Sequence, residues 1–482
     1  MAGIVILGLG PANADLITRQ AWQVLETADE IYLRTEQHPA VKGFPPSLRV
    51  KSFDDLYQQY DSFEQVYQQI VEQIIALGKR PEGVIYAVPG HPFIAESTGP
   101  EIVRQAKALG IPCSLVGGLS FLEPTFSALG LDPLPHTSLV DALTLVSGHH
   151  PPFPPDAPVL IAQIYDRQIA AEVKITLMAA YPDEHPVQLV HGAGSTTELV
   201  EDLPLYAIDR SEHIGLLTSL YLSPLGPATS MEAFQELVAH LRSPEGCPWD
   251  REQDHQSLRP NLLEEAYEVV DAIDKDDPIA MVEEFGDLLL QVVLHAQIAS
   301  EYGEFTMADV INGIYTKLVR RHPHVFGDVN LDEADAVIKN WERLKAEERK
   351  ANGEEKKGLL DGVANALPAL TQAQTYQNRV VRVGFDWPDI SGVMDKICEE
   401  IEEIRTAPDD AARASEVGDL LFAIVNLARW LKIDAESALR ETNQRFRTRF
   451  AFIEQSAREQ GRELGEMPLE EMEELWQEAK QK

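Results

Sequence analysis

Leu262–Ile273 reads LLEEAYEVVDAI and Glu283–Val292 reads EEFGDLLLQV, and the pattern returns at Glu399–Glu403 (EEIEE) and Glu416–Leu427 (EVGDLLFAIVNL). Each copy has the form E-E-x-x-E, a gap, then E-x-x-D. The first uses Glu264, Glu265, Glu268, Glu284 and Asp287; the second uses Glu399, Glu400, Glu403, Glu416 and Asp419. On a helix, residues three and four apart share a face, so each copy puts acids on one face of two successive helices. If those helices pack side by side, the carboxylates converge, which is costly unless compensated. A hard divalent cation with oxygen ligands, Mg²⁺ or Mn²⁺, is the compensation this chemistry suggests. The metal ligands expected are Glu265, Glu268, Glu284 and Asp287 in the first copy, and Glu400, Glu403, Glu416 and Asp419 in the second.

A plainer account competes with this one. With 78 acidic and 41 basic residues, runs of Glu are expected on solvated faces. Both E-x-x-D acids, however, sit inside apolar runs, Phe285–Leu290 and Val417–Phe422. Acids flanked by core residues are seldom mere solvation.

Working outward, 482 residues predict about two to four domains. The net charge of −37 argues against a nucleic-acid polymer as partner, since a phosphate backbone needs a basic footprint. Three scattered cysteines, Cys113, Cys247 and Cys398, suggest a reducing cytoplasm and no disulfide framework. Met1 leads into an apolar run without a basic stretch before it, so no signal peptide is expected. No apolar stretch is long enough to span a bilayer, so no membrane partner is expected.

The chain changes character near residue 225. Before it, short Val- and Ile-rich runs (Gly3–Leu7, Gly83–Val88, Pro112–Val116, Val159–Gln163, Pro186–Val190) alternate with helical-period segments (Asp15–Ala28, Ser62–Leu77, Gly99–Leu109). That alternation is α/β. The Pro-rich segment His149–Pro158 reads as a linker between two lobes, about 1–148 and 159–225. Beyond Pro227 the pattern is all-α in two blocks, 228–352 and 358–482, with Asn352–Lys357 (NGEEKK) as an exposed connector. The fold class expected is therefore multidomain: a two-lobed α/β region, then a helical bundle in two repeated blocks.

The helical half resembles the MazG family. The residues that carry this are Cys247–Asp250 (CPWD), Leu262–Ile273, Glu283–Val292, Arg320–Gly327 (RRHPHVFG), Gly384–Pro388 (GFDWP) and Glu416–Leu427. The resemblance covers roughly 228–482. It implies an all-α nucleoside triphosphate pyrophosphohydrolase, which cleaves between the α and β phosphates to give a nucleoside monophosphate and pyrophosphate. Attack on phosphorus needs charge neutralisation and an in-line water more than a covalent nucleophile. The catalytic set expected is Glu399, Glu400, Glu403, Glu416 and Asp419.

Basic residues must then grip the phosphates. Lys317, Arg320 and Arg321 follow the first block's acids, and Arg445, Arg447 and Arg449 follow the second's. Lys317 with Arg321, and Arg445 with Arg449, are i, i+4 pairs; basic residues late in a helix also complement its dipole. The resemblance implies that the second block is the active site and that Asn443, Arg445 and Arg449 hold the nucleotide there. One departure is Ser415-Glu416, where the family often has Glu-Glu. The first block keeps Glu283-Glu284 and is expected to be a fold-stabilising or weakly active copy. Most of Trp249, Trp341, Trp387, Trp430 and Trp476 are expected in the core, and His322 and His324 in a loop.

The first 225 residues resemble the tetrapyrrole (corrin/porphyrin) methylases. Supporting segments are Gly8–Pro11, Asp15–Thr18, Ala28-Asp29, Val88–Phe93 (VPGHPF), Val116–Pro124 (VGGLSFLEP) and His191–Ser195 (HGAGS). The resemblance implies S-adenosylmethionine in the cleft between two lobes. The contacts expected are Gly8, Gly10, Pro11, Pro89, Gly90, His91, Gly117, Gly118 and Ser120. Three Gly- or Pro-marked turns after strand-like runs suit a ligand at the strand ends of an α/β sheet. Gly90-His91-Pro92 stands where many methylases have Gly-Asp-Pro, and Gly117–Phe121 where Pro-Gly-Val-Ser-Ser is common. Both patterns are familiar from fused methylase–MazG proteins. They leave the methyl acceptor, tetrapyrrole or other, open.

The function expected is metal-dependent nucleoside triphosphate pyrophosphohydrolysis by a homodimer, with S-adenosylmethionine bound by the first half. The alternatives are a tetrapyrrole-pathway methyltransferase whose helical half is a dimerisation or nucleotide-sensing module, and a non-enzymatic nucleotide sensor.

Overall fold

The structure, a computed structural model, describes residues 3–60, 62–330, 333–351 and 358–481. The chain forms two compact units, Met1–Val310 and Ile311–Lys482. The change from α/β to all-α falls earlier, between the strand Thr218–Leu222 and the helix Met231–Arg242.

The first sheet holds β1 (Ile4–Gly8), β2 (Glu30–Leu33), β3 (Arg49–Ser52), β4 (Val84–Val88) and β5 (Cys113–Val116) in the order β3-β2-β4-β1-β5, all parallel. Alternation along β1 sends Ile4 and Ile6 to one face and Leu7 to the other. Ile4 and Ile6 pack with Ile70, Ile74, Tyr86 and Ile102; Leu7 packs with Leu25, Ile31, Leu33 and Val116. Both faces are thus covered, as a parallel sheet requires. The helix Phe63–Gly78 begins where Ser62 accepts the Gln65 amide, and its Ile70 and Ile74 form the cover of one face.

The second sheet holds β6 (Ser138–Asp141), β7 (Val159–Ala162), β8 (Pro186–His191), β9 (Leu199–Pro204) and β10 (Thr218–Leu222) in the order β6-β7-β10-β8-β9. Only β6 and β7 run parallel; the other pairs are antiparallel. This corrects the placing of the inter-lobe linker. Ser138 to Asp141 pair with Val159 to Ala162, so the Pro-rich stretch 149–158 is part of a crossover inside the second sheet. The lobes are joined instead by residues 117–137, which include the helix Leu122–Leu129. A Pro-rich stretch breaks helix wherever it lies and does not by itself mark a domain edge.

In the helical part of the first unit, Arg259–Asp274 packs against Pro278–Glu301. The link is short, and Asp277 accepts the amides of Ile279 and Ala280 with Pro278 at the first helical position. The second unit repeats the device. Ile390–Thr406 packs against Asp410–Trp430, and Asp409 accepts the Ala412 amide at 2.8 Å. Short links with sharp caps make each pair an antiparallel hairpin. Ala369–Val381 and Ala435–Glu459 pack on Asp410–Trp430, and Leu469–Ala479 packs on Ala435–Glu459. The expected connector Asn352–Lys357 lies outside the described residues. Among the described residues no helix is long and apolar enough to cross a membrane.

Candidate functional site

Each hairpin brings acids together from its two helices. In the first, carboxylate oxygens of Glu265, Glu268 and Glu284 lie within 4.8 Å of one another; in the second, those of Glu400, Glu416 and Asp419 do. Asp287 and Glu403 stand just outside these groups yet act on them electrostatically. Burial first, then Asp287 and Glu268, push the Glu265 carboxyl above its ordinary range. Burial and Glu268 do the same to Glu284. Glu403 is raised by burial and by Glu400, with Lys396 opposing. Glu264 and Glu399 are exposed, one residue off the converging face, and Glu399 pairs with Lys396 at 2.9 Å.

Glu400 is the most informative of these residues. It is 2% exposed, and its Oε2 is buried with no hydrogen-bond partner. Its Oε1 takes a 2.6 Å ion pair from Lys396. A buried carboxylate with one oxygen unpartnered beside two further acids fits a hard cation with oxygen ligands. The donor set is carboxylate alone, which suits Mg²⁺ or Mn²⁺. Sequence reasoning missed Lys396, although its i, i+4 spacing to Glu400 was visible.

The basic residues divide sharply. Arg321 gives its guanidinium to both oxygens of Glu348 and lies 5.3 Å over the Trp341 ring. Arg320 reaches the same carboxylate at 2.6 Å. Lys317 is exposed. In the second block Arg445 touches only its own helix in the contacts described, Glu441 at 3.3 Å and Thr442 at 2.7 Å. Arg449 lies 5.6 Å over the Trp476 ring, and Asn443 and Arg447 are exposed. His322 accompanies Trp341, edge to face, at the short turn of helix Pro323–Phe326.

In the α/β half, three turns meet at the carboxyl ends of β1, β4 and β5. The Gly10 amide donates to the Gly90 carbonyl at 3.2 Å and the Gly90 amide returns to the Gly10 carbonyl at 2.7 Å. A Cβ on Gly8 would lie 2.5 Å from the Gly118 nitrogen and 2.7 Å from the Gly90 oxygen. Only glycine permits that approach. Gly10 and Gly90 also hold φ of 76° and 68°. Thr18 Oγ1 donates to the Gly117 carbonyl at 3.1 Å, and His91 Nε2 faces Gly117. Pro11 and Ser120 are buried, and Ser120 Oγ donates to Glu123 at 2.5 Å. Pro89 is half-buried just before the bend at Gly90.

One polar group here was not foreseen. Arg34, directly after β2, pairs with Glu96 at 2.5 Å, and Glu96 also accepts the amide and hydroxyl of Thr98. Burial, with Arg34 nearby, pushes His38 down to about 4, so its ring is neutral near pH 7. A lone Arg after a strand and a lone Glu in a loop carry no spacing signal.

An α/β half with glycine turns at its strand ends, joined to a helical half with two carboxylate hairpins, defines a two-domain protein of recognisable class. Residues 253–326 match the MazG nucleotide pyrophosphohydrolase domain, and residues 3–209 match the tetrapyrrole (corrin/porphyrin) methylases. The chain belongs to the MazG family, in the form fused to a methylase domain that is represented by YabN of Bacillus subtilis (strain 168). With YabN it shares 42% identity over 100% of this chain and 99% of that one. The nucleoside triphosphate pyrophosphohydrolase/pyrophosphatase MazG of Thermotoga maritima is 48% identical over 51% of this chain and 95% of its own length. The structure of uroporphyrin-III-C-methyltransferase from Thermus thermophilus aligns with 47% of this chain and 94% of that one, at 22% identity and a TM-score of 0.36.

The raised carboxyls give a pH test with a definite sign. A group whose pKa is higher folded than unfolded contributes stability at low pH that is lost as pH rises through the folded value. Glu265, Glu284 and Glu403 are such groups. A bound cation offsets the repulsion that appears at higher pH. Mg²⁺ is therefore expected to raise the melting temperature at about pH 7.5, with a gain that shrinks toward about pH 5. Differential scanning fluorimetry reads this, and an equal gain at both pH values would contradict it.

Proposed function

We propose that this protein is a divalent-metal-dependent nucleoside triphosphate pyrophosphohydrolase whose main site is the second carboxylate hairpin. The observation that carries the reading is Glu400, buried with an unpartnered oxygen beside Glu416 and Asp419. Glu400, Glu403, Glu416 and Asp419 would hold Mg²⁺ or Mn²⁺, and Glu265, Glu268, Glu284 and Asp287 would do so in the first hairpin. Bound there, the metal supplies charge neutralisation at the phosphates and a more acidic water. Glu399 or Glu403, at the exposed rim, is suited to orient a water or accept its proton.

The preference for the second block rests on its cations. Arg320 and Arg321 of the first block are engaged by Glu348, whereas Arg445 and Arg449 answer to no distant acid in the contacts described. Asn443, Arg445 and Arg449 are therefore the proposed nucleotide grip. Lys317 is the one member of the first block's i, i+4 pair outside the Glu348 ion pairs described. The nucleotide substrate comes to this chain by its relationship to MazG of Thermotoga maritima. We place the work in the cytoplasm, consistent with three cysteines none of which is in a disulfide.

The helical part also carries exposed apolar side chains, among them Val417, Leu421, Phe422 and Ile424 on the Asp410–Trp430 helix. A face of this kind beside a carboxylate site is suited to a second copy, so a homodimer is part of the proposal.

For the α/β half we propose S-adenosylmethionine binding at the meeting of the Gly8–Pro11, Pro89–Phe93 and Gly117–Phe121 turns. Main-chain groups brought close by glycine, at the carboxyl ends of parallel strands, are the support for it. The methyl acceptor, tetrapyrrole or other, is the second ligand of that cleft.

Three outcomes are expected. On a nucleotide panel with saturating Mg²⁺, the full chain releases pyrophosphate, and Glu400→Gln or Asp419→Asn lowers the rate by about 100-fold or more, against a smaller loss for Glu265→Gln or Asp287→Asn. Silence across the panel sinks the activity, and equal losses from both sets sink the choice of block. Calorimetry on the full chain should give heat with S-adenosylmethionine and with S-adenosylhomocysteine; no heat with either, from folded protein, removes the cofactor. Sedimentation should find a dimer, and a monomer at all concentrations would exclude it.

A further inference from the structure

The two carboxylate hairpins are built alike but neutralised differently. In the second, Lys396 places its ammonium 2.6 Å from Glu400 and 2.9 Å from Glu399. The position matching Lys396 in the first, four residues before Glu265, is Asn261, which carries no charge. The groups acting on Glu265 there are the acids Asp287, Glu268 and Glu264. The second hairpin also has Ser415 where the first has Glu283. It therefore lacks that acid beside Glu416 and holds one internal cation more, while its further acid, Glu402, in the place of Tyr267, is exposed.

The Lys396–Glu400 pair is not explained as helix reinforcement. A lysine N-terminal to its glutamate at i, i+4 is the weaker orientation on a helix. Nor does it complete the site, because Glu400 Oε2 stays buried without a partner. What it does is place a positive charge on a carboxylate that a metal would otherwise neutralise alone. Two cations in contact with one carboxylate repel each other strongly in a partly desolvated site. A metal entering the second hairpin must therefore displace or tolerate the ammonium. In the first, among the described residues, no lysine is in ion-pair contact with Glu265, Glu268 or Glu284, and Lys275, which acts on Glu284 electrostatically, is paired with Asp271.

We propose that Lys396 is a resident counter-cation that competes with divalent metal for the second hairpin, so that the two hairpins load in sequence, the first at lower metal concentration than the second. This rests on the reading that both are metal sites. It adds a threshold: the second hairpin becomes competent only where free metal is high enough to overcome its own lysine. Lys396 acts here as a positioning residue, through Glu400.

The test is Mn²⁺ binding to the full chain, followed by electron paramagnetic resonance of free Mn²⁺ and by calorimetry, without nucleotide. Wild type should show two classes of site. The double variant Glu400→Gln/Asp419→Asn should remove the weaker class and so assign it. Lys396→Met should tighten that class by about tenfold or more, the scale of a lost charge-assisted contact, and leave the tighter class unchanged. Asn261→Lys, the converse change, should weaken the tighter class. Lys396→Gln, which keeps a polar chain without charge, serves if the methionine variant melts early. The inference is overturned if the charge-removing variants leave the weaker class unchanged or weaken it, or if wild type binds in a single class. A wild type with no Mn²⁺ binding lost in the double variant would instead overturn the underlying metal reading.

Discussion

Like charge held together by packing is the constraint around which the helical half is arranged. Glu265, Glu268 and Glu284 in one hairpin, and Glu400, Glu416 and Asp419 in the other, are pressed within a few ångströms. Apolar contact between helices has to supply what the carboxylates oppose. The short links capped by Asp277 and Asp409 leave the paired helices little freedom to splay and relieve it. Under the proposed function, the same arrangement would suit each hairpin to a cation. The cost of convergence is met in folding, so a ligand finds its donors already in place.

The α/β half solves a different problem with the opposite material. At the ends of β1, β4 and β5 the chain removes side chains instead of gathering them, and main chain meets main chain at Gly8, Gly90 and Gly118. Around that contact lie paired polar groups: Arg34 with Glu96, which also holds Thr98, and the buried Ser120 with Glu123. A rigid floor of this kind suits a ligand held largely by backbone groups.

The helical half was legible because its signals are local. A repeated acid pattern with 3.6-residue apolar spacing fixes both the helices and the faces that meet. Five strands of the α/β half were equally plain, since β1, β4 and β7 are runs rich in Val, Ile and Leu, β8 mixes Val and Leu with polar residues, and β5 closes on Leu115-Val116. The other five were not. β3 (RVKS), β6 (SLVD) and β9 (LVEDLP) lie on sheet edges, where charged and polar residues are usual and the apolar run is lost. Missing β6 is what shifted the lobe junction to the prolines. At the candidate sites, the acids and glycine turns were marked by spacing. The Glu348 that claims Arg321 lies 27 residues away on another helix, and no periodicity connects the two. Lys396 was within local reach, but a lysine among glutamates reads as ordinary surface pairing until Glu400 is seen to be buried.

The spacing of the glycine floor has a consequence for how this half tolerates change. β1 ends at Gly8, β4 at Val88 and β5 at Val116, so Gly10, Gly90 and Gly118 each stand the same two steps beyond a strand end. What places the three turns against one another is therefore chain length counted from a hydrogen-bonded register. The loops that follow can exchange many side chains while the floor persists. Adding or deleting one residue between a strand and its glycine would carry the bend out of reach of its partners. In this half, insertions and deletions at those three short segments are the mutational class with the least room.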